Sequence, residues 1–416
     1  MPAQSENATT AVMYRRELRR AVATGIWETA GQTFLLLIAV RDLQAGAWAK
    51  GLVAAGSSVG LMLSPLLTSA VSARGASLAT TVAWFYRLSA VCFLAVAVWP
   101  VVPVFVVLCM TGLAAVAVTT PLLTQMYQDN YPDTARGRLF SRSVMVRVAA
   151  GALFAELAGR WIAVDRTGSR GLLVVYALAM LFAAAQVAEY PSGRLRSGGG
   201  SHPLRALRWV RDDALFRRTL VCWMLMGFAN LMMVPLRVEY LANPRHGLAH
   251  SAATVALLTA VIPNAMRLVM SPIWGWVFDR VNFFALRVVL NLGFALGILT
   301  FFTSDTMTGL LTGAVLFGVA MAGGDVAWTL WVTKIAPPDR VAEYMSVHTF
   351  FTGLRGMAAP VAVFHLVMHL SVATVSAISA ALIVLATLIL LREVRGQPAR
   401  DPGRVVVERS VRAEPP

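Results

Sequence analysis

Ionisable side chains in unexpected places are the first guide to chemistry in this chain. Glu28, Arg87, Arg147, Glu156, Arg267, Asp325 and Arg355 each fall inside a long apolar run. A charge at the centre of a bilayer costs about 3 kcal/mol or more, so such groups mark a cavity, an ion pathway or a partner. Glu28 is followed four residues later by Gln32, on the same helical face. Its carboxyl suits proton uptake and release, or a structural pair with an arginine of a neighbouring helix. Asp325 follows Gly323-Gly324 and precedes Trp328 by one turn. A carboxylate beside an aromatic plane suits a cation, a sugar or a proton relay, or a lock onto Arg267 or Arg355. Those two arginines carry planar forks that bind carboxylate or phosphate bidentately, and they serve equally well in pairing with Asp325. Arg147 and Glu156 lie about two and a half turns apart and share a face only roughly. Arg147 is near a helix end, where gating or snorkelling is expected. Arg87 has no partner legible in the sequence. Asn230, Asn264 and His348 read as interhelical hydrogen-bonding groups.

Several chemistries are excluded. No Gly-x-x-x-x-Gly-Lys-Ser/Thr loop is present, so the chain carries no ATP-driven pump of that type. His365 and His369 are spaced i, i+4, but no acidic third ligand lies near them in sequence. Cys92, Cys109 and Cys222 all fall in apolar runs, an odd number without metal-ligand spacing. The apolar runs hold no Ser/His/Asp set or His/Glu metal cluster for a membrane hydrolase. The expectation is a protein that is no enzyme and takes no cofactor or metal.

The elements that must position these residues are membrane-spanning helices. The chain has 416 residues, 57% of them hydrophobic and 14% charged, with a mean hydropathy of +0.66. A soluble domain carries about 25% charged residues. A span needs roughly 20 apolar residues, so the chain holds about a dozen. They are expected near 21–41, 47–71, 76–98, 101–126, 142–163, 171–189, 217–238, 251–278, 283–303, 308–333, 344–366 and 371–392. The polar, basic start followed by an apolar run long enough to span argues against a cleaved signal peptide. The net charge of +15 sits in short segments between the spans, not in a basic domain, which excludes nucleic-acid binding. With the N-terminus inside, most arginines fall on one face: Arg15, Arg16, Arg19 and Arg20, Arg136, Arg138 and Arg142, and the linker series from Arg194 to Arg218. Arg280 and Arg287 are assigned to that face and Arg237 to the opposite one. The bias predicts cytoplasmic termini and an even number of spans.

An internal repeat divides the chain. Ser64-Pro65 matches Ser271-Pro272, Pro132-Asp133 matches Pro338-Asp339, and Ser141 and Gly151 match Ser346 and Gly356. The offset is nearly constant at about half the chain, as expected for two halves of like topology. The expected division is a cytoplasmic N-terminal segment at 1–20, a six-helix bundle at 21–189, a cytoplasmic linker at 190–214, a second bundle at 215–392 and a disordered cytoplasmic tail at 393–416.

On these features the chain resembles the major facilitator superfamily over about residues 15–392. The family's loop motif, Gly-x-x-x-Asp-Arg, is kept in the second half as Gly275-Trp276-Val277-Phe278-Asp279-Arg280. The first half departs from it, with Ser72 and Ala73 in place of the Asp-Arg pair. Tyr131-Pro132-Asp133 to Arg136-Gly137-Arg138 is similar to the family's loop between helices 4 and 5. Gly151, Ala155, Glu156 and Gly159 resemble in spacing its antiporter motif, with Glu156 where proline is expected. The segment Ala342–Phe350 leading to Arg355-Gly356 resembles that of a bacterial subgroup.

The resemblance implies an all-α membrane fold of about 12 transmembrane helices in two six-helix repeats, in a bacterial inner (plasma) membrane. It also implies that helices 1, 4, 7 and 10 line a central cavity. The substrate and proton-coupling candidates are then Glu28, Gln32, Asp325, Trp328, Arg267, Arg355, Arg147 and Glu156, with Gly275, Asp279 and Arg280 as a gate. The expected protein is a monomeric secondary transporter working by alternating access, in contact with lipid, a small molecule and a coupling proton. A polar or anionic substrate is favoured, because the apolar runs hold more arginines than acids. Alternatives are an efflux antiporter of lipophilic cations, with Trp27 and Trp328 as stacking surfaces, and a transporter-derived assembly, sensor or lipid-handling protein.

Overall fold

A computed structural model describes residues 2–35, 38–39, 42–43, 45, 47–164, 168–195, 205–242, 248, 250, 254 and 257–396. Among the described residues the chain forms twelve helical passages. They are α1 (Pro2–Thr29, continued by a π-helical turn at Ala30–Phe34), α2 (Ala47–Met62 and Ser64–Arg74), α3 (Leu78–Val98), α4 (Val102–Ala117 and Thr120–Asn130), α5 (Arg136–Val164) and α6 (Gly168–Ala188). After a linker with a short helix at Arg208–Asp212 come α7 (Ala214–Ala242), α8 (Leu257–Val261 and Ile262–Arg280), α9 (Phe283–Phe302), α10 (Met307–Leu330 and Trp331–Lys334), α11 (Val341–His369) and α12 (Val372–Gly396).

Among the described residues eight helices are long and apolar enough to cross a bilayer, and nine if the bent pair within α2 counts as one. The remaining three passages are α1, α5 and α11. They carry Glu28, Arg147, Glu156 and Arg355 within their apolar stretches. The bend in α2 is 43° and falls at Ser64-Pro65, where proline removes a backbone donor and clashes with the preceding turn. Side-chain caps start others: Ser77 accepts from the Thr80 amide at α3, Asn282 from Phe284 at α9 and Thr306 from Gly309 at α10.

The packing repeats with a shift of six. In the first half α1 lies against α5 and α6, α2 against α4, and α3 against α4 and α6. In the second α7 lies against α11 and α12, α8 against α10, and α9 against α10 and α12. Between the halves α5 meets α8, and α2 and α4 meet α11. These contacts are themselves exchanged by the repeat.

Two expectations change at the ends. The N-terminal segment is not a separate polar stretch but the continuous start of α1. It is held there because Glu17 and Arg20 are buried together. At the other end α12 runs on to Gly396; the rest of the expected tail lies outside the described residues. The linker packs onto α11. Trp209 stacks on Tyr344 at 5.1 Å and donates to Glu343, and the Tyr344 hydroxyl bonds to Asp213.

Candidate functional site

Two ion pairs face each other where the halves meet. Glu28 on α1 pairs with Arg147 on α5, Nε to Oε2 at 3.3 Å, close enough for Coulomb attraction but not aligned as a hydrogen bond. The approach of α1 to α5 depends on glycines. A Cβ on Gly151 would stand 2.9 Å from the Gly25 carbonyl oxygen, and one on Gly25 would strike the Arg147 carbonyl. Gly25 lies within one turn of Glu28, and Gly151 within about one turn of Arg147, so the crossing delivers both charged groups to one place. On the other side Arg267 of α8 grips Asp325 of α10 through Nε at 2.9 Å and Nη2 at 2.7 Å, with Asn264 accepting from Nη1 at 3.0 Å. Asp325 is therefore locked to Arg267, and Arg355 is elsewhere.

Cavities flank these pairs. One of about 260 Å³ is bounded by α1, α4, α5 and α10 and reaches Trp27, Glu28, Arg147 and Trp328. Hydroxyls of Thr24, Ser57, Thr120, Thr124, Ser143 and Thr329 line it too. The buried Trp27 Nε1 has no hydrogen-bond partner. A second cavity of about 200 Å³ between α1, α5 and α8 is walled by Glu28, Arg147, Asn264 and Arg267. Glu28 and Arg147 belong to both, so this pair separates the two spaces. The backbone of Gln32 lies in the π-helical turn of α1; its side chain lies outside the described residues.

The residues expected to form a gate join α8 to α5 on the face that carries the linker. Asp279 at the end of α8 accepts from the amides of Gly137 at 2.7 Å and Arg138 at 2.9 Å. These are unsatisfied donors of the first turn of α5, where the helix dipole also favours an anion. Gly275 and Gly137 let the two backbones touch: a Cβ on either would meet the other's carbonyl at 2.7–2.8 Å. Arg280 instead stacks over Trp276, 4.4 Å from the ring centroid. The equivalent contact between α4 and α11 uses a different group. Gln125 of α4 accepts from the Ala342 amide at the start of α11 at 2.9 Å and donates to the Pro338 carbonyl at 2.7 Å. A neutral amide thus caps α11 where a charged carboxylate caps α5.

Other expected residues disperse. Glu156 is exposed on α5 and lines neither cavity. Arg87 is exposed on α3. Arg355 bonds to the Trp223 carbonyl on α7. His365 and His369 meet edge to face with ring centroids 5.3 Å apart, and no group of three metal-capable side chains occurs among the described residues. His348, expected to make a structural hydrogen bond, makes none with either nitrogen. Arg237 and Arg287, expected in loops, are buried inside α7 and α9.

The sequence reading missed one cluster altogether. Glu17, 1% exposed, receives Arg20 through Nε at 2.8 Å and Nη2 at 2.7 Å, and hydroxyls from Tyr127 at 3.0 Å and Tyr190 at 2.5 Å. Arg20 also reaches Tyr86 at 2.9 Å. The Glu17-x-x-Arg20 spacing was a visible signal for a helical pair, but the surrounding run of arginines masked it.

The family profile described as Major Facilitator Superfamily matches residues 21–360 and 244–414. The fold is similar to the E. coli fucose:proton symporter FucP, with a TM-score of 0.72, 12% identity and coverage of 95% of this chain and 100% of that one. It is similar to the human organic anion transporter MFSD10 (TETRAN), at 0.68, 14% identity, and 92% and 99% coverage. It is also similar to the proton:xylose symporter XylE bound to 6-bromo-6-deoxy-D-glucose, at 0.67, 16% identity, and 94% and 96% coverage. No curated protein matches significantly in sequence.

Proposed function

The chain belongs to the Major Facilitator Superfamily, and from that premise we propose that it is a proton-coupled secondary transporter of a polar or anionic small molecule. A multi-pass membrane transporter, rather than an enzyme, is what the family and the similar folds establish. The finer reading rests on one observation: the Glu28–Arg147 pair stands between the two cavities and opposite the Arg267–Asp325 pair.

Each pair joins two helices of its own half, and α5 and α8 lie on the boundary between halves. Protonating Glu28 discharges one member of its pair and releases the Arg147 guanidinium toward the cavity. An unpaired cation there favours an anionic or hydrogen-bond-accepting solute. Substrate binding and proton release are then opposed on the same arginine, which couples them. Trp27 and Trp328 supply apolar faces, and the threonine and serine hydroxyls supply both donors and acceptors. The linker face is closed by Asp279 and Gln125, and alternating access requires both latches to open. With the linker taken as cytoplasmic, that movement opens the cavity inward.

The test is uptake by proteoliposomes, with and without an imposed pH gradient, across a panel of sugars and organic anions. The parent protein accumulates its substrate with the gradient. Glu28→Gln loses accumulation and keeps exchange of labelled for unlabelled substrate. Gradient-driven accumulation of normal size in Glu28→Gln and in Asp325→Asn would remove both acids from coupling.

A further inference from the structure

We propose that the second half holds a buried anion site, separate from the central cavity, that binds a halide-sized monovalent anion between α7, α9, α10 and α11. Trp223 of α7 lies between two arginines. The Arg287 guanidinium of α9 stands 3.8 Å over its ring, and Arg355 of α11 donates Nη1 to its carbonyl. Gly227, one turn on, leaves the space that the Arg355 head occupies. His348 of α11 is enclosed by Trp223, Trp328 and Trp331, with ring centroids 5.5, 5.4 and 5.2 Å away.

Unsatisfied polar atoms gather here. Arg287 Nη1, Arg355 Nε, the indole nitrogens of Trp223 and Trp331, and both nitrogens of His348 are buried without a hydrogen-bond partner. Arg287 is 1% exposed and His348 0%. Buried polar groups in folded proteins are almost always satisfied, so a cluster of this kind points to an occupant. Arg287 has a single hydrogen bond, to the neutral Asn291 Oδ1 at 2.8 Å. Among the described residues no carboxylate pairs with Arg287 or Arg355. Cys222 of α7 is near enough to Arg287 to interact electrostatically, but a thiol ionises in water only near about pH 8.5.

The donor balance separates an anion from water. Water brings as many donors as acceptors, whereas this cluster is dominated by N–H donors and carries two fixed positive charges. The face of Trp223 offsets part of the Arg287 charge through its quadrupole and leaves the Arg355 charge untouched. A spherical anion accepts from donors carried on four helices without the planar demands of a carboxylate. Trp328 also lines the central cavity, so one indole ring separates the anion from the transported solute.

The experiment is thermal unfolding of the purified full-length protein in nanodiscs. Chloride replaces gluconate stepwise at constant ionic strength. Expected is a Tm that rises with the logarithm of chloride concentration, as for a ligand of the folded state alone. Bromide substitutes for chloride and gives an anomalous scattering peak between Arg287 and Arg355 in crystals. Arg287→Gln loses the shift, and Trp223→Phe and Trp331→Phe, which keep a ring but delete an N–H donor, reduce it. The two tryptophan variants decide the matter if Arg287→Gln does not fold. Identical curves in chloride and gluconate overturn the proposal, as does a shift of parent size in these variants. It is equally overturned if the parent shows no chloride effect while Cys222→Ser is destabilised, since the thiolate then supplies the missing charge.

Discussion

At the scale of single residues, burial decides which charges matter. Glu17 and Arg20 stand among basic residues of a polar N-terminal stretch, yet both are buried and satisfied by each other and by three tyrosine hydroxyls. Removing one member of such a pair leaves an uncompensated buried charge, at a cost of about 3–5 kcal/mol. Glu17→Gln should therefore lower the thermal unfolding midpoint sharply, and Glu17→Gln with Arg20→Met should recover part of the loss. Equal stability of Glu17→Gln and the parent would show that the pair contributes nothing. Arg16–Glu189 offers the contrast. Glu189 is more than half exposed, so Glu189→Gln should change the midpoint little.

Elements act through their ends and their crossings. The first turn of α5 has donors that its own helix cannot satisfy, and Asp279 supplies the missing acceptor from the other half. Asp279→Ala removes a charged cap worth about 1–2 kcal/mol, roughly a tenfold shift between closed and open linker faces. Spin labels on the linker-face ends of α5 and α8 should report a larger population of long distances in the variant. The α1–α5 crossing makes a second demand. A leucine at Gly25 cannot be accommodated against the Arg147 carbonyl, so Gly25→Leu must separate the helices and break the Glu28–Arg147 pair. Gly25→Leu should abolish gradient-driven transport as Glu28→Gln does, while Gly159→Ala, whose Cβ meets nothing within 4 Å, should be silent.

For the molecule as a whole, an even number of passages puts the start of α1, the end of α12 and the described part of the linker on one face. From the arginine bias we propose that this face is cytoplasmic. A cysteine at Arg211, an exposed linker position, in a background with Cys92, Cys109 and Cys222 replaced should react with an impermeant maleimide only after permeabilisation. Labelling in intact cells would reverse the orientation. The same repeat that sets this topology leaves the two linker-face latches chemically unlike, carboxylate in one and amide in the other.

The one-dimensional pattern already contained the twelve passages, the repeat and the Gly-x-x-x-Asp-Arg loop motif, because apolar length, a constant offset and loop chemistry are properties of the linear chain. Span ends were legible to within a few residues, except where a helix runs on into polar sequence, as α1 and α5 do. The pairing of charges was not legible. Glu28 with Arg147, and Asp325 with Arg267 and not Arg355, are set by which helix faces meet. Those faces depend on glycine crossings between segments far apart in the chain. Hydropathy also assigned Arg237 and Arg287 to loops, since it counts a charge as exposed by default. Only the packed structure shows an aromatic ring beneath each of them, where the guanidinium sits buried inside a helix bundle.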